Sequence, residues 1–403
     1  MIYLDNAATS YPKPPVLAAQ AAALLEQELG NPFRSGHQAA RHSAATIWRV
    51  KSKLATLINA QSPEHIALCY NCSDAMNMLL MALVRQLKPQ HLLTSVLEHN
   101  SLLRPLAWLA EQHAITLDIC QPSGSDWQID WSAVLSQRLK DSHMPILLTM
   151  AHVANTTGTM QDLKACIAQF PQSQIYRIID GAQSVGHFPI DVQAQAADAW
   201  VFPAHKGLLG PTGLGFIWLG DRLRQLPCYG SRFGGSGQDS TSRFGPEVFP
   251  HWAEIGTPNL HGMVLFEPVL DWLLAPARLA QLHQHIAWLQ QQLYQQLAML
   301  PTCILYGPLH LGSGIVLLNL KGWDCETLAA LLDSRFGIAV RAGLHCAPLA
   351  HQWLGTTSLY GGAVRISFGP FNQIADVTAL VNALSEMAGE TAKLEPLGLC
   401  SLT

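Results

Sequence analysis

The chain has 403 residues, 49% hydrophobic and only 13% charged, with a formal net charge of −4. That length exceeds what one hydrophobic core usually serves, so two domains are expected. The near-neutral balance gives no electrostatic basis for binding nucleic acid or an anionic membrane, and the sparse charge favours association between copies of the chain. The opening MIYLDNAATS carries Asp5 and no apolar core, so no secretory signal is expected, and no stretch is long and apolar enough to span a bilayer. The nine cysteines are odd in number and scattered, which argues against a disulfide framework and for a reducing, cytoplasmic setting. Cys69 and Cys72 have CxxC spacing, but without a second pair the segment reads as the end of a buried strand rather than a metal site, and no metal is expected.

In chain order, HIALCY (65–70) reads as a strand and AMNMLLMALVRQL (75–87) as a helix. HLLTSV (91–96) is a strand, SLLRPLAWLAEQH (101–113) a helix and ITLDIC (115–120) a strand. PILLTMAHV (145–153), IYRIID (175–180), AWVFP (199–203) and GLGFIWL (213–219) follow as further strands, with amphipathic or loop segments between them. This alternation predicts an α/β fold whose mostly parallel sheet is covered on both faces. Residues 229–246, YGSRFGGSGQDSTSRFGP, are rich in glycine and serine and are expected to form a mobile loop near the site. A helical run over 262–300 has a Pro-containing break near 268–276. GIVLLNL, CETLAALLDSRFG, IAVRAG, AVRISFG and QIADVTALVNALSEMAG then predict a smaller α/β domain over 261–403, with no internal repeat.

Ligands on open parallel sheets bind beyond the carboxyl ends of the strands. Ser73, His99, Asn155, Asp180 and Lys206 stand just past five such ends. Lys206 is the single charged residue between Asp198 and Asp221. Such a lysine is either a surface residue snorkelling from a loop or a desolvated amine suited to Schiff-base chemistry. In Asn71-Cys72-Ser73-Asp74-Ala75, a helix N-terminus offers N–H groups to an anion, while Ser73 or Asp74 serves equally as an ordinary cap. The Asp74 carboxylate would repel a phosphate, so its backbone is expected to face the anion. Asp180, ending an apolar run, either pairs with a cation such as a protonated pyridine nitrogen or caps the next turn. His99 is suited to stacking or proton transfer, or is structural. In Arg341-Ala-Gly-Leu-His-Cys346-Ala-Pro348, a loop thiol flanked by His345 and Arg341 is poised to be a thiolate, whereas the other cysteines read as inert core. Arg365, in AVRISFG, suits carboxylate capture or a surface ion pair.

These residues, together with YLDNAATSYPKP, GNPFRSGH, EHNSLLRPL, HVANTTGT, DGAQSVGH, AHKGLLGPTGLG, EIGTPNLHG, RAGLHCAPL and VRISFGPFN, resemble the cysteine desulfurase and selenocysteine lyase family. That family lies in the class V aminotransferase group of fold-type I enzymes dependent on pyridoxal 5'-phosphate (PLP), and the resemblance runs nearly end to end. It implies a large domain (15–260) with a seven-stranded, mostly parallel sheet between helices. A small domain (1–14 and 261–403) would carry the Cys346 loop and Arg365. It also implies that Lys206 holds PLP covalently, that His99 stacks on its ring, that Asp180 pairs with the ring nitrogen and that Gln183 bonds the phenolic oxygen. Ser73, Asp74 through its N–H, and His205 would hold the phosphate. Thr257 would reach the phosphate of a neighbouring subunit, giving a homodimer. Asn155 and Arg365 would take the substrate carboxylate, with Arg341, Asn6 and Ala7 also at the substrate.

The implied reaction converts L-cysteine to L-alanine, with Lys206 moving the Cα proton, His99 assisting as an acid, and Cys346 accepting sulfur as a persulfide. The sulfur then passes to an acceptor protein or small thiol, and the compact cysteine loop implies that such a partner speeds turnover. L-selenocysteine is the alternative substrate, and another class V PLP lyase would not need Cys346. A non-catalytic sulfur relay would not need Lys206, Asp180 and His99. The pattern departs at Pro203, where a hydroxyl usually meets the phosphate, a loss of about 1 kcal/mol, and at Ala204, a common glycine. GGSG and GPTGLG do not open a helix after a strand, so no dinucleotide fingerprint is present.

Overall fold

The structure, a computed structural model, describes residues 1–33, 35–141, 144–164, 173–195, 197–237, 241–308 and 312–394. Seven strands form the main sheet: β2 (Ile66–Cys69), β3 (His91–Ser95), β4 (Thr116–Cys120), β5 (Ile146–Ala151), β6 (Ile175–Asp180), β7 (Ala199–Pro203) and β8 (Gly215–Leu219). Their spatial order is β2-β8-β7-β6-β5-β3-β4. Only β8 runs antiparallel to its neighbours, so β2, β3, β5, β6 and β7 point their carboxyl ends to one edge. The central strands are buried because helices cover both faces, as their mostly hydrophobic runs required, with Arg177 the buried charge within β6.

One covering layer includes α1 (Pro15–Ala23) and α2 (Gln38–Leu57); the other includes α3 (Cys72–Leu87) and α4 (Asn100–His113). On one face, Ile47, Val50 and Leu54 of α2 pack with Leu148, Trp200 and Phe216. On the other, Met76, Leu79 and Leu83 of α3 meet Leu92, Leu147 and Val201. A further helix, α5 (Trp131–Asp141), precedes β5.

The expected helical run after residue 260 is two helices, α6 (Leu260–Leu274) and α7 (Arg278–Leu297), separated at 275–277. The break falls at Pro276, the end of the expected 268–276 window, while Pro268 sits inside α6. Helix α6 buries Met263, Phe266, Val269 and Leu270 against the main sheet, whereas α7 places Ile286, Leu289 and Leu293 in a separate core. That second core lies on a four-stranded antiparallel sheet ordered β12-β13-β10-β9. Its strands are β9 (Cys303–Tyr306), β10 (Ile315–Leu320), β12 (Arg341–Gly343) and β13 (Ala363–Ser367). Helices α8 (Cys325–Phe336) and α11 (Ile374–Leu394) cover it, and α9 (Pro348–Leu354) and α10 (Thr356–Tyr360) follow β12. Strand β9 was not anticipated.

The N-terminal segment ties the two sheets together. β1 (Ile2–Tyr3) pairs with β11 (Ile338–Ala339), and Asp5 bridges to Ser367. Residues 229–237 and 241–246 form no helix or strand, and the middle of that expected loop, 238–240, lies outside the described residues. Among the described residues, no helix is long and apolar enough to cross a membrane.

Candidate active site

At the common carboxyl edge of the main sheet lies a cavity of about 240 Å³. Ser73, His99, Asn155, Asp180 and Lys206, each following a different strand, all line it. Ala7, Cys72, Gln183, His205, Arg341 and Arg365 line it too. A larger cavity, about 390 Å³, beside α2 contains the buried Lys51–Glu254 pair (2.5 Å) but none of the expected site residues. Its volume is greater, but it lacks the reactive groups.

Lys206 follows β7 on a tight turn. Gly186, at φ +90°, crosses so close to Gly207 that a Cβ on it would lie 2.3 Å from the Gly207 carbonyl carbon. Only glycine fits that crossing. Burial pushes the Lys206 ammonium below its ordinary pKa; Cys72 and Asp180 oppose this shift, and Arg365 and Arg341 add to it. A lowered amine is the form that nucleophilic chemistry requires.

The preceding carbonyl, of His205, is gathered by the N-terminal strap. Ser10 N–H (2.9 Å), Ser10 Oγ (3.0 Å), Thr9 Oγ1 (3.2 Å) and Lys13 Nζ (3.2 Å) all donate to it. His205 itself is lowered to about 4 by burial and then by Lys206 and Lys13.

Asp180 ends β6 with its carboxylate buried, and Oδ1 accepts Ala182 N–H at 2.9 Å. Burial raises its pKa, so its ionised form calls for a cation. Cys72 Sγ lies 3.9 Å from the same oxygen. Cys72, which opens α3 and packs on the core, departs from the expectation of inert core cysteines only in lining the cavity, since burial pushes its thiol well above its ordinary pKa; Cys166 and Cys400 lie outside the described residues. It stands past a strand end, the same signal that marked Ser73. Cys69 does end buried strand β2, and no metal-suited cluster occurs among the described residues.

The α3 cap is Asn71, not Ser73 or Asp74: its Oδ1 accepts Asp74 N–H at 2.8 Å. The Cys72 and Ser73 N–H groups, at the helix start, have no intrahelical carbonyl to reach. The Asp74 carboxylate turns to Tyr70 N–H and Arg232, away from the cavity.

His99 caps α4: its Nδ1 accepts Ser101 N–H at 3.0 Å, which leaves the ring proton on Nε2. Burial, then Lys206, Arg341 and Arg365, lowers it to about 4. Beside it, Glu98 is buried and pushed up to about 8.

Arg365 is 1% exposed, which excludes a surface pair. It donates to the Asn155 carbonyl and to Asp5 Oδ1, each at 2.9 Å. Gln183 Nε2 donates to the Ala7 carbonyl at 2.9 Å. Asn6 lies outside the lining. Its amide is spent on Ser367 O, Asn372 Oδ1 and Tyr11 N–H, so it shapes the strap instead of meeting a substrate. Thr257 also lies outside, where Asn31 Nδ2 donates to its hydroxyl.

Cys346 lies outside the lining but beside one of its residues: Arg341, which lines the cavity, places Nη2 3.2 Å from Sγ. His345 does not flank the thiol as expected. Its ring bonds His351 and the Arg341 carbonyl instead.

A phosphorylated pyridine fits these residues. Asn155 Oδ1, His205 Nδ1 and Arg365 Nε are buried without partners around the cavity. The free N–H groups of α3 suit an anion, and the buried Asp180 suits a cation.

The family model for Aminotransferase class-V matches residues 2–380, and the chain belongs to that family. A probable cysteine desulfurase of Pasteurella multocida is 33% identical over 394 residues, covering 95% of this chain and 88% of that protein. One of Vibrio cholerae is 30% identical over 393 residues, covering 95% and 93%. Among solved structures, a cysteine desulfurase of Escherichia coli in an S-sulfonic acid form superposes with a TM-score of 0.83 at 28% identity, over 97% of this chain and 94% of that one. An apo cysteine desulfurase of Thermococcus onnurineus does so with 0.83 at 26%, over 96% and 95%.

Proposed function

We propose that this chain is a PLP-dependent cysteine desulfurase that converts L-cysteine to L-alanine and leaves the sulfur on Cys346. The observation that carries this reading is the single cavity gathering Lys206, Asp180, His99, Gln183, Asn155 and Arg365, with Cys346 tied to its lining through Arg341.

Lys206 would hold PLP, with His99, Asp180, Gln183, Ser73, His205 and Asn155 as its other partners; the expected Asp74 N–H is already taken by the Asn71 cap and lies outside the cavity lining. When bound, PLP supplies an electron sink for charge developing at the substrate Cα. Arg365 and Asn155 hold the amino-acid carboxylate, with Arg341 and Ala7 beside it. Lys206 Nζ takes the Cα proton and returns it. The Cys346 thiolate, facing the Arg341 guanidinium, attacks the substrate sulfur. An S–S bond forms and the C–S bond breaks with its electron pair left on carbon, which is protonated to give alanine. His99, which lines the same cavity, would assist as the acid. The persulfide on Cys346 then passes its outer sulfur to an acceptor protein or small thiol.

Residues 15–260 form the cofactor domain in this reading, and 1–14 with 261–403 form the smaller one, although α6 packs on the cofactor domain's core. Thr257, turned from its own cavity, would meet the phosphate of a second subunit in a cytoplasmic homodimer. The test is purified protein, PLP and L-cysteine, assayed for alanine and sulfide with dithiothreitol as acceptor. Both products should form in equal amounts, and Cys346→Ala should lower the rate at least about hundredfold. Alanine formation only from L-selenocysteine would move the substrate; full activity of Cys346→Ala would overturn the reading.

A further inference from the structure

We propose that a buried chain of three side chains, Thr356, His351 and His345, is a positioning device that locks the backbone of the Cys346 loop. This rests on the reading of Cys346 as sulfur acceptor. His345 and Cys346 are consecutive non-glycine residues at φ +52° and +56°. Left-handed backbone in two adjacent side-chain-bearing residues persists only where the surroundings over-determine it.

The constraints come from both sides of the loop. Asn155 Nδ2 donates to the His345 carbonyl at 2.8 Å, and Asn100 N–H to the Cys346 carbonyl at 2.6 Å. From the other side, His345 Nε2 lies 3.2 Å from the Arg341 carbonyl, His345 Nδ1 lies 3.0 Å from His351 Nε2, and His351 Nδ1 lies 2.7 Å from Thr356 Oγ1. All three residues are buried.

The protons follow from the end that has no choice. A carbonyl only accepts, so His345 Nε2 carries a proton and its Nδ1 accepts. His351 Nε2 must then donate, so His351 Nδ1 accepts and the Thr356 hydroxyl donates. Every polar atom in the chain is matched when both rings are neutral. Burial lowers His351 to about 4 and His345 well below its ordinary range, which keeps them so. The anchor of the chain is firm: α9, which bears His351, packs Leu349 and Trp353 against the main core, with Trp353 edge-on to Trp127 at 4.6 Å. None of these three residues touches the cavity. Their effect reaches the sulfur through the backbone that presents it to Arg341.

The experiment uses the full-length, PLP-loaded protein and the variants His351→Leu, His351→Gln and Thr356→Val. Hydrogen exchange over residues 341–350 is measured without substrate, and kcat and KM for alanine formation are measured separately. His351→Leu should speed exchange in that segment and lower kcat about tenfold, with KM changed less than about twofold. His351→Gln, whose amide N–H replaces the donor to His345 Nδ1, should recover most of both. Unchanged exchange and kcat in His351→Leu would overturn the proposal, as would equal loss in the Gln variant, since the ring would then only fill space. If His351→Leu does not fold, Thr356→Val decides: faster exchange in 341–350 supports the device and unchanged exchange overturns it. Failure of the Cys346 reading shows separately, as an active Cys346→Ala variant.

Discussion

Arg365 shows how much of the chemistry rests on single side chains. It is buried, it is already committed to the Asn155 carbonyl and Asp5, and its Nε has no partner. A guanidinium can keep those contacts and still offer an edge to a carboxylate; an ammonium cannot. Arg365→Lys should therefore raise KM for L-cysteine about tenfold to a hundredfold, the worth of a charge-assisted pair. A KM within about twofold of the parent, measured at saturating PLP, would place the carboxylate elsewhere. At this scale the sequence was informative wherever a polar residue followed an apolar strand: Ser73, His99, Asn155, Asp180 and Lys206 converge as that rule requires. It was silent where backbone geometry decides. Nothing in RAGLHCAPL tells that His345 turns away from the thiol, and nothing in YLDNAATS tells that Asn6 spends its amide on Ser367, Asn372 and Tyr11.

Among elements, the strap of residues 1–14 and the glycine crossing beside Lys206 do the positioning. Gly186→Ala would force a Cβ into the Gly207 backbone at a φ of +90°, a conformation that side chains rarely adopt. We expect a loss of about 3 kcal/mol or more, and weaker PLP retention because the displaced segment carries Lys206. Thermal unfolding and the visible absorbance of the purified variant check this; a parent-like melting point with full cofactor content would contradict it. Lys13→Met removes one of four donors on the His205 carbonyl, so its effect should be smaller, below about 1.5 kcal/mol. The main strands and long helices were legible because each has a local period or an unbroken apolar run. Two-residue β1 was not, since its pairing joins residues 2–3 to 338–339 and leaves no local pattern, whereas β11 lies inside the expected strand IAVRAG, which the structure divides into β11 and β12. Helices α9 and α10 are short and broken at Gly355, which hid them likewise.

For the whole molecule, acid should be the weak point of the cofactor-free protein. His99, His152, His187, His205 and His351 are each lowered to about 4, mainly by burial. The unfolded chain protonates its histidines near 6.5, so between pH 6.5 and 4 it binds protons that the fold refuses. Each such group costs about 1.4 kcal/mol per pH unit across that window. Glu98, pushed up to about 8, acts with the opposite sign, stabilising the fold at low pH and losing that contribution as pH rises through 8. Asp180 and Asp198, also raised by burial, act with the same sign as Glu98, so these three carboxyls offset part of the five-histidine effect and the net is a fall. The unfolding midpoint should drop continuously from pH 6.5 to 4.5, and a flat profile would contradict it. Sheet order is the feature least readable in the sequence. The alternation implied a parallel sheet, but only long-range pairing places β8 antiparallel between β2 and β7.

In the proposed reaction one cavity delivers substrate sulfur to one thiol. The direct measurement mixes PLP-loaded protein with one equivalent of L-cysteine, counts the alanine formed, and locates any added sulfur atom by peptide mass spectrometry. Alanine matched by sulfur on Cys346 is the expected result. Alanine with no sulfur on Cys346, or with sulfur on the cavity-lining Cys72 instead, would contradict the account.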